Sequence, residues 1–283
     1  MAQPPARSTA VEPPTGSPWD EPLDGAALAF IDLEMTGLER ERDRVVEICV
    51  ERVRGDVVEA CVTSCVRPDG DVSGAGDKIH GISREELAAA PPFSALAGDV
   101  LRVLEGAVLV AHAAEHDVAF LREELRRAGV CWQCEHFLDT LDLSRRAFNF
   151  KSHRLVSLAK ELGIDSTRAH RAESDVRVLR SVFAHIVREL RPSTPRDLWH
   201  VRTGEAHVRP EILAAVETAL AARAPANVRY RSSGRAARDL VFHVTALRRD
   251  VDPPIAIGYL DHSRGRRELR LDRILSFELL VRG

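Results

Sequence analysis

Ala27-Leu28-Ala29-Phe30-Ile31-Asp32-Leu33-Glu34 is the stretch on which the fold of this chain turns. Its first five residues are a short apolar run, as expected of a buried strand, and the run ends in a carboxylate. Side chains alternate along an extended chain, so Asp32 and Glu34 point to the same side of the strand end. Two carboxylates placed this way begin a site for a hard cation. The same pair also fits a strand running into a polar loop, so its neighbours have to decide.

Working outward, residues 45–50 read as a second strand, Gly55-Asp56 as a hairpin turn and residues 57–66 as a third strand returning. Residues 83–87 predict a short capped helix and 93–104 a longer one. Val108-Leu109-Val110-Ala111 is another apolar strand; Val118, Leu121, Leu125 and Ala128 then keep helical spacing up to Gly129. Residues 137–141 read as strand, 143–147 and 156–162 as helix. Val176, Leu179, Phe183, Ile186 and Leu190 trace one face of a long helix. Three antiparallel strands followed by alternating helix and strand predict an α/β fold, a mixed sheet flanked by helices.

Arg191-Pro-Ser-Thr-Pro195 breaks the long helix and marks a boundary. The expected organisation is a disordered tail at 1–24, rich in Pro, Ala and Gly, and an α/β domain at 25–191. A helical linker at 192–223 follows, with Ile212, Val216 and Leu220 at four-residue steps, and then a basic β-rich module at 224–283. No run approaches the ~18 apolar residues of a membrane span, and the start lacks the pattern of a secretory signal. The net charge of −3 argues against a protein that coats nucleic acid nonspecifically. Residues 224–283 nevertheless carry twelve Arg against seven Asp plus Glu, an excess that attracts phosphate locally. Five cysteines suit a reducing compartment, with the cytoplasm as the default location. Cys131-Trp-Gln-Cys134 has zinc-knuckle spacing, to which Cys61, Cys65 or His136 could add. Cys61 and Cys65 lie in an apolar run, where two buried thiols are the plainer reading.

Three further residues extend the acidic pair. Asp117 opens the helix after the strand at 108–111, where an N-cap is the ordinary role. Asp175 sits early in the long helix, at the edge of its apolar stripe, and His170 precedes it by five residues. Each alone fits an ordinary structural role. Together, acids at strand ends and helix starts of an open sheet can converge on one edge crevice. Four crowded carboxylates repel unless a cation neutralises them, and carboxylate oxygen is what Mg²⁺ or Mn²⁺ prefers. Two such ions can clamp an in-line phosphoryl displacement.

The motifs Asp32-Leu-Glu34-Met-Thr-Gly-Leu38, Val45-Val46-Glu47-Ile48, His80-Gly81-Ile82, Ala111-His112-Ala-Ala-Glu-His-Asp117 with Phe120-Leu121, and His170-x4-Asp175 resemble, in order, those of the DEDDh 3′–5′ exonucleases. The likeness is to the epsilon proofreading subunit of DNA polymerase III and its stand-alone relatives, and in the first motif also to oligoribonuclease. It spans roughly residues 25–190 and implies a ribonuclease H-like sheet. It also implies two divalent cations, Mg²⁺ or Mn²⁺: Asp32, Glu34 and Asp175 would hold the first, Asp32 would share the second and Asp117 would complete the site. His170 would be the general base. Met35, Thr36, Gly37 and His112 would lie against the terminal nucleotide. The implied partner is nucleic acid with a free 3′ end, DNA favoured over RNA, with a DNA polymerase or repair protein beside it. An exoribonuclease for short RNA and a nucleic-acid-binding regulator with a vestigial nuclease core are the alternatives. One departure stands out: Ala113 replaces the family's usual Asn, which orients the substrate strand, and His116 replaces its Phe. Residues 228–274 resemble the second half of a WYL domain, an Sm-like barrel, with Gly258 in place of the eponymous Trp. By that likeness Arg231, Arg270 and Arg273 would contact phosphate.

Overall fold

The computed structural model describes residues 12–69, 81–166, 171–203, 208–231, 237–251 and 253–280. Its first sheet is built outward from β1 (Ala27–Met35). On one side lie β2 (Val45–Arg54) and β3 (Val57–Cys65), on the other β4 (Val108–Ala111) and β5 (Phe137–Asp139). The order is β3-β2-β1-β4-β5, antiparallel from β1 to β3 and parallel from β1 to β5. β1, β2 and β4 are buried almost throughout because helices cover both faces. β3 is the edge, its residues mostly exposed, so Cys61 faces solvent and Cys65 is half-buried, where buried thiols were expected.

Alternation along β1 decides what faces what. Leu28 and Phe30 enter the core beneath α6 (Ala172–Leu190), where Phe30 meets Phe183 edge-on at 5.3 Å. Ala29, Ile31 and Leu33 enter the opposite core, beneath α2 (Phe93–Leu104) and α3 (Glu115–Arg127). Continued by two residues at a time, the Leu28–Phe30 side brings Asp32 and Glu34 under the start of α6. α1 (Arg84–Ala89) begins with a reciprocal capping box between Ser83 and Glu86. α4 (Thr140–Ala147) and α5 (Leu155–Leu162) complete the α6 layer. Strand β5 ends at Asp139, two residues earlier than expected, because that carboxylate accepts from Leu141 N–H and starts α4.

A second, wholly antiparallel sheet follows, in the order β10-β6-β7-β8-β9. Its strands are β6 (Pro225–Tyr230), β7 (Arg238–Arg248), β8 (Ile255–Leu260), β9 (Ser263–Arg270) and β10 (Ile274–Leu279). Gly258 permits this pairing, since a Cβ there would strike the His243 carbonyl on β7.

Two expected boundaries shift. The two helices described within 192–223 do not act as a linker. Leu198 and Trp199 of α7 (Pro195–Thr203) lie in the first domain's core, whereas Ile212, Val216 and Ala219 of α8 (Pro210–Ala222) lie in the core of the second sheet. Of the expected tail, residues 12–24 are ordered. Trp19 is buried against Trp199 at 6.0 Å, and Leu23 N–H donates to Ser193 O at 2.9 Å. Residues 1–11 lie outside the described residues. No helix among those described is long and apolar enough to cross a membrane.

Candidate active site

Asp32, Glu34 and Asp175 each offer a carboxylate oxygen, and these oxygens lie within 4.8 Å of one another. β1 supplies the first two and the first turn of α6 the third. Asp117, in the first turn of α3, borders the trio through Asp32 and is itself buried. Backbone N–H groups, its own and that of Leu33, steady its carboxylate. All four expected acids therefore meet, three at mutual ligand distance and Asp117 at the edge. His170 lies outside the described residues.

The electrostatics follow from burial and crowding, which outweigh the nearby Arg171. Burial, then repulsion from Asp117, Asp175 and Glu34, pushes Asp32 well above the ordinary carboxylate range. Burial with Asp175 and Glu47 raises Glu34 to about 7. Burial, joined by Asp139 and Glu34, raises Asp117 to about 8 against the pull of its backbone donors. Carboxylates held this way favour either a proton or a cation, and a donor set made wholly of oxygen fits a hard divalent ion.

Two residues that sequence reasoning passed over hold the site in place. Glu47, opposite Glu34 in the β1–β2 register, is buried. It accepts from Arg171 Nε at 3.0 Å, from Arg171 Nη2 at 2.9 Å and from Ala172 N–H at 2.9 Å. It thereby caps the helix that carries Asp175. Asp139 accepts from Ala113 N–H at 3.0 Å and so fixes the turn that leads into Asp117. Glu47 stood within a quoted motif, but only its register against Glu34 gives it work to do. Locally Asp139 is only the cap of α4; its role at the site comes from Ala113, 26 positions away.

The expected nucleotide-contacting residues divide. Met35 is half-buried against the α2–α3 core. Thr36 turns inward: its hydroxyl donates to Asp43 Oδ1 and accepts from Arg44 N–H, both at 3.0 Å. Its hydroxyl shapes the turn. Gly37 is required there, because a Cβ would run into the Asp43 carboxylate. Beyond it, Leu38 is 79% exposed at the loop tip. His112 lies with Nδ1 2.9 Å from Thr140 Oγ1, and burial lowers its pKa to about 4, leaving it neutral. Ala113 adopts φ 60°, in the left-handed region that Asn tolerates better than Ala, so the family's usual Asn has a backbone reason there. In the second sheet, Arg231 Nη2 donates to Phe148 O at 3.0 Å, and Arg270 is held by Asp272 at 2.8 Å. Internal partners thus occupy two of the three arginines expected to meet phosphate. Arg273 offers its carbonyl to Arg231 N–H at 3.1 Å.

An acidic oxygen cluster at the end of the central strand of this mixed sheet defines the class: an α/β protein with a centre built for hard cations. The chain belongs to the RNase T-type exonuclease family, whose profile matches residues 29–183, more than half of its length. It is 32% identical over 164 residues to DNA polymerase III subunit epsilon of Treponema pallidum, covering 57% of this chain and 76% of that one. It is 31% identical over 163 residues to the 3′-5′ exonuclease DinG of Bacillus subtilis, covering 57% of this chain but 18% of DinG. It spans only 12% of the PolC-type DNA polymerase III of Thermotoga petrophila. Among solved structures, an exonuclease I superposes with a TM-score of 0.54 at 16% identity, over 89% of this chain and 64% of that one. That likeness concerns the fold.

Proposed function

We propose that this chain is a metal-dependent 3′–5′ exonuclease that removes nucleoside 5′-monophosphates from DNA 3′ ends. The observation that carries the reading is the meeting of Asp32, Glu34 and Asp175 within 4.8 Å, in a chain of an exonuclease family. The relatives named as a DNA polymerase III subunit and as a 3′-5′ exonuclease support both the direction and the DNA substrate. Asp32, Glu34 and Asp175 would hold Mg²⁺ or Mn²⁺, with Asp117 serving a second ion beside Asp32. When bound, the ions supply charge neutralisation for the phosphoryl group and acidify a water.

The chain's own residues do the rest. Glu47 and Arg171 fix the start of α6 and with it Asp175. His170 takes the proton of the attacking water, whose oxygen bonds to phosphorus while the P–O3′ bond breaks. The leaving 3′ oxygen becomes the hydroxyl of the shortened strand. The β1–β2 turn at Thr36-Gly37 seats the terminal nucleotide. The second sheet, an Sm-like, WYL-like module by its residues, adds a grip on the strand. A DNA polymerase or repair protein is the expected partner, and the free cysteines accord with a reducing cytoplasm.

The test is trimming of matched, 5′-labelled DNA and RNA oligonucleotides with Mg²⁺ or Mn²⁺. The wild type should release mononucleotides from DNA in preference to RNA. Asp32→Ala and Asp175→Ala should reduce the rate by at least about 10³-fold with unchanged circular dichroism. Full digestion by Asp32→Ala would end the mechanism; preference for short RNA would move the substrate to the alternative.

A further inference from the structure

The turn between α4 and α5, residues 148–154, touches both halves of the molecule. On one side the Arg231 guanidinium, at the end of β6, donates to Phe148 O at 3.0 Å. On the other, His153 is held by Ser144 at 3.0 Å on α4, whose first residue, Thr140, contacts His112 at 2.9 Å. Along the turn the Phe148 and Phe150 rings stack at 5.0 Å and 14°, with the His153 ring 6.4 Å beyond Phe150. Both phenylalanines are only half-buried, their inner edges packed on the α6 core.

Charge is what sets this turn apart. Arg145 is paired with Asp142 at 3.1 Å, but Arg146, Lys151 and Arg154 have no acidic partner among the described residues. Lys151 and Arg154 are exposed. Elsewhere among the described residues many arginines are tied to carboxylates, as Arg229 is to Glu189 and Asp239. Around this turn cations face one another instead. Burial and then Arg146 lower the Arg231 guanidinium to about 10 against the pull of Glu189, and burial, then Arg145 and Arg231, disfavour a proton on His153. Like charges left together beside aromatic faces gain stability from a polyanion, and phosphates with stacked bases supply both complements.

We propose that the α4–α5 turn is the track of the single strand on the 5′ side of the scissile nucleotide, with Arg146, Lys151 and Arg154 facing phosphates and Phe150 offering its ring to a base. This rests on the exonuclease reading and adds the path by which the strand leaves the site towards the second sheet. Arg231 acts from behind, holding the turn through Phe148 O. Length is then the property the turn confers: a strand of many nucleotides reaches it and a very short one does not.

The test compares dT3 and dT20 as substrates of the full chain with Mg²⁺, over a salt series. In the wild type KM should be lower for dT20 and should rise with salt. Neutralising Arg146, Lys151 and Arg154 together should cut the KM ratio, dT3 over dT20, at least about ten-fold. It should also flatten the log–log salt slope for dT20 by about 2, since each single-strand phosphate contact contributes roughly 0.7. Lys151→Glu alone, at an exposed position, should move both quantities the same way. An unchanged ratio and slope would overturn the track, and so would equal loss on both lengths, which would mark the turn as mere support. A wild type that trims neither substrate would instead defeat the exonuclease reading itself.

Discussion

Ala113 shows how much a single residue can disclose. Its φ of 60° places an L side chain where its Cβ crowds the following carbonyl, at a strain of roughly 1–2 kcal/mol that Asn and Gly largely escape. Ala113→Asn is therefore expected to raise unfolding stability by about 1 kcal/mol, read from a denaturant midpoint at unchanged slope. A midpoint equal to or below the parent's would refute the strain argument. The acid cluster makes a second expectation. A carboxyl whose pKa rises on folding favours the fold while protonated, so its contribution is complete below its unfolded pKa and is lost as pH climbs through the folded one. With Glu34 near 7 and Asp117 near 8, the metal-free protein should lose melting temperature between about pH 5 and 8. Mn²⁺ added at the upper end should restore it and release protons. Asp32→Asn removes one repelling charge and should flatten the decline. A metal-free melting temperature that rises over that range would contradict the cluster's electrostatics.

Among the elements, α3 does two jobs. Its first turn carries Asp117, and two turns on, buried Glu124 accepts from Arg44 Nε at 2.7 Å and from Arg44 Nη2 at 2.9 Å. Arg127 then donates to the carbonyls of Arg40 at 3.1 Å, Glu41 at 3.0 Å and Asp43 at 3.2 Å. The loop from Thr36 to Arg44 is thus stapled to the helix that bears an acid of the site. A loop ordered before substrate arrives spares the complex that entropy. Arg127→Met should free it and raise KM for an oligonucleotide on the order of ten-fold, about 1.4 kcal/mol, while kcat changes less. A kcat that collapses at constant KM would place Arg127 in the chemistry instead. Elements of this kind show where sequence stops. The strands from β1 to β4 were legible because apolar runs and alternation are local, and so were Asp32 and Glu34, two apart on one strand. Asp117 and Asp175 were legible as a pattern, whereas their meeting depends on strand order. Glu47 with Arg171, 124 positions apart, and Glu124 with Arg44, 80 apart, were not legible, since nothing near either partner names the other.

For the whole molecule the issue is whether its two sheets are separable. The Pro-rich break after Leu190 marks a boundary in the sequence, but the packing argues against a domain that ends there. Leu198 and Trp199 of α7, Trp19 of the N-terminal segment and Leu275 of β10 all lie in the core beneath α6. Arg229, buried at the junction, reaches the Glu189 carboxylate at 2.7 Å and the Glu189 carbonyl at 2.7 Å, both on α6. Ending the chain at residue 190 strips Leu198 and Trp199 of α7 from that core, and such losses run to about 2–5 kcal/mol for a buried leucine and about 3–5 kcal/mol for a buried tryptophan. Ending it at residue 203 keeps α7 but loses Leu275, the Arg229 contacts and the Arg231 bond to Phe148 O. The shorter fragment is expected to melt well below the full chain or to aggregate. The longer one should fold, retain trimming of short oligonucleotides and lose most of its preference for long ones. Calorimetry of the full chain should then give one transition, because a core shared between first helix layer and second sheet couples their unfolding. Two well-separated transitions, or a stable and active fragment ending at residue 190, would show that the shared core does not bind the halves together.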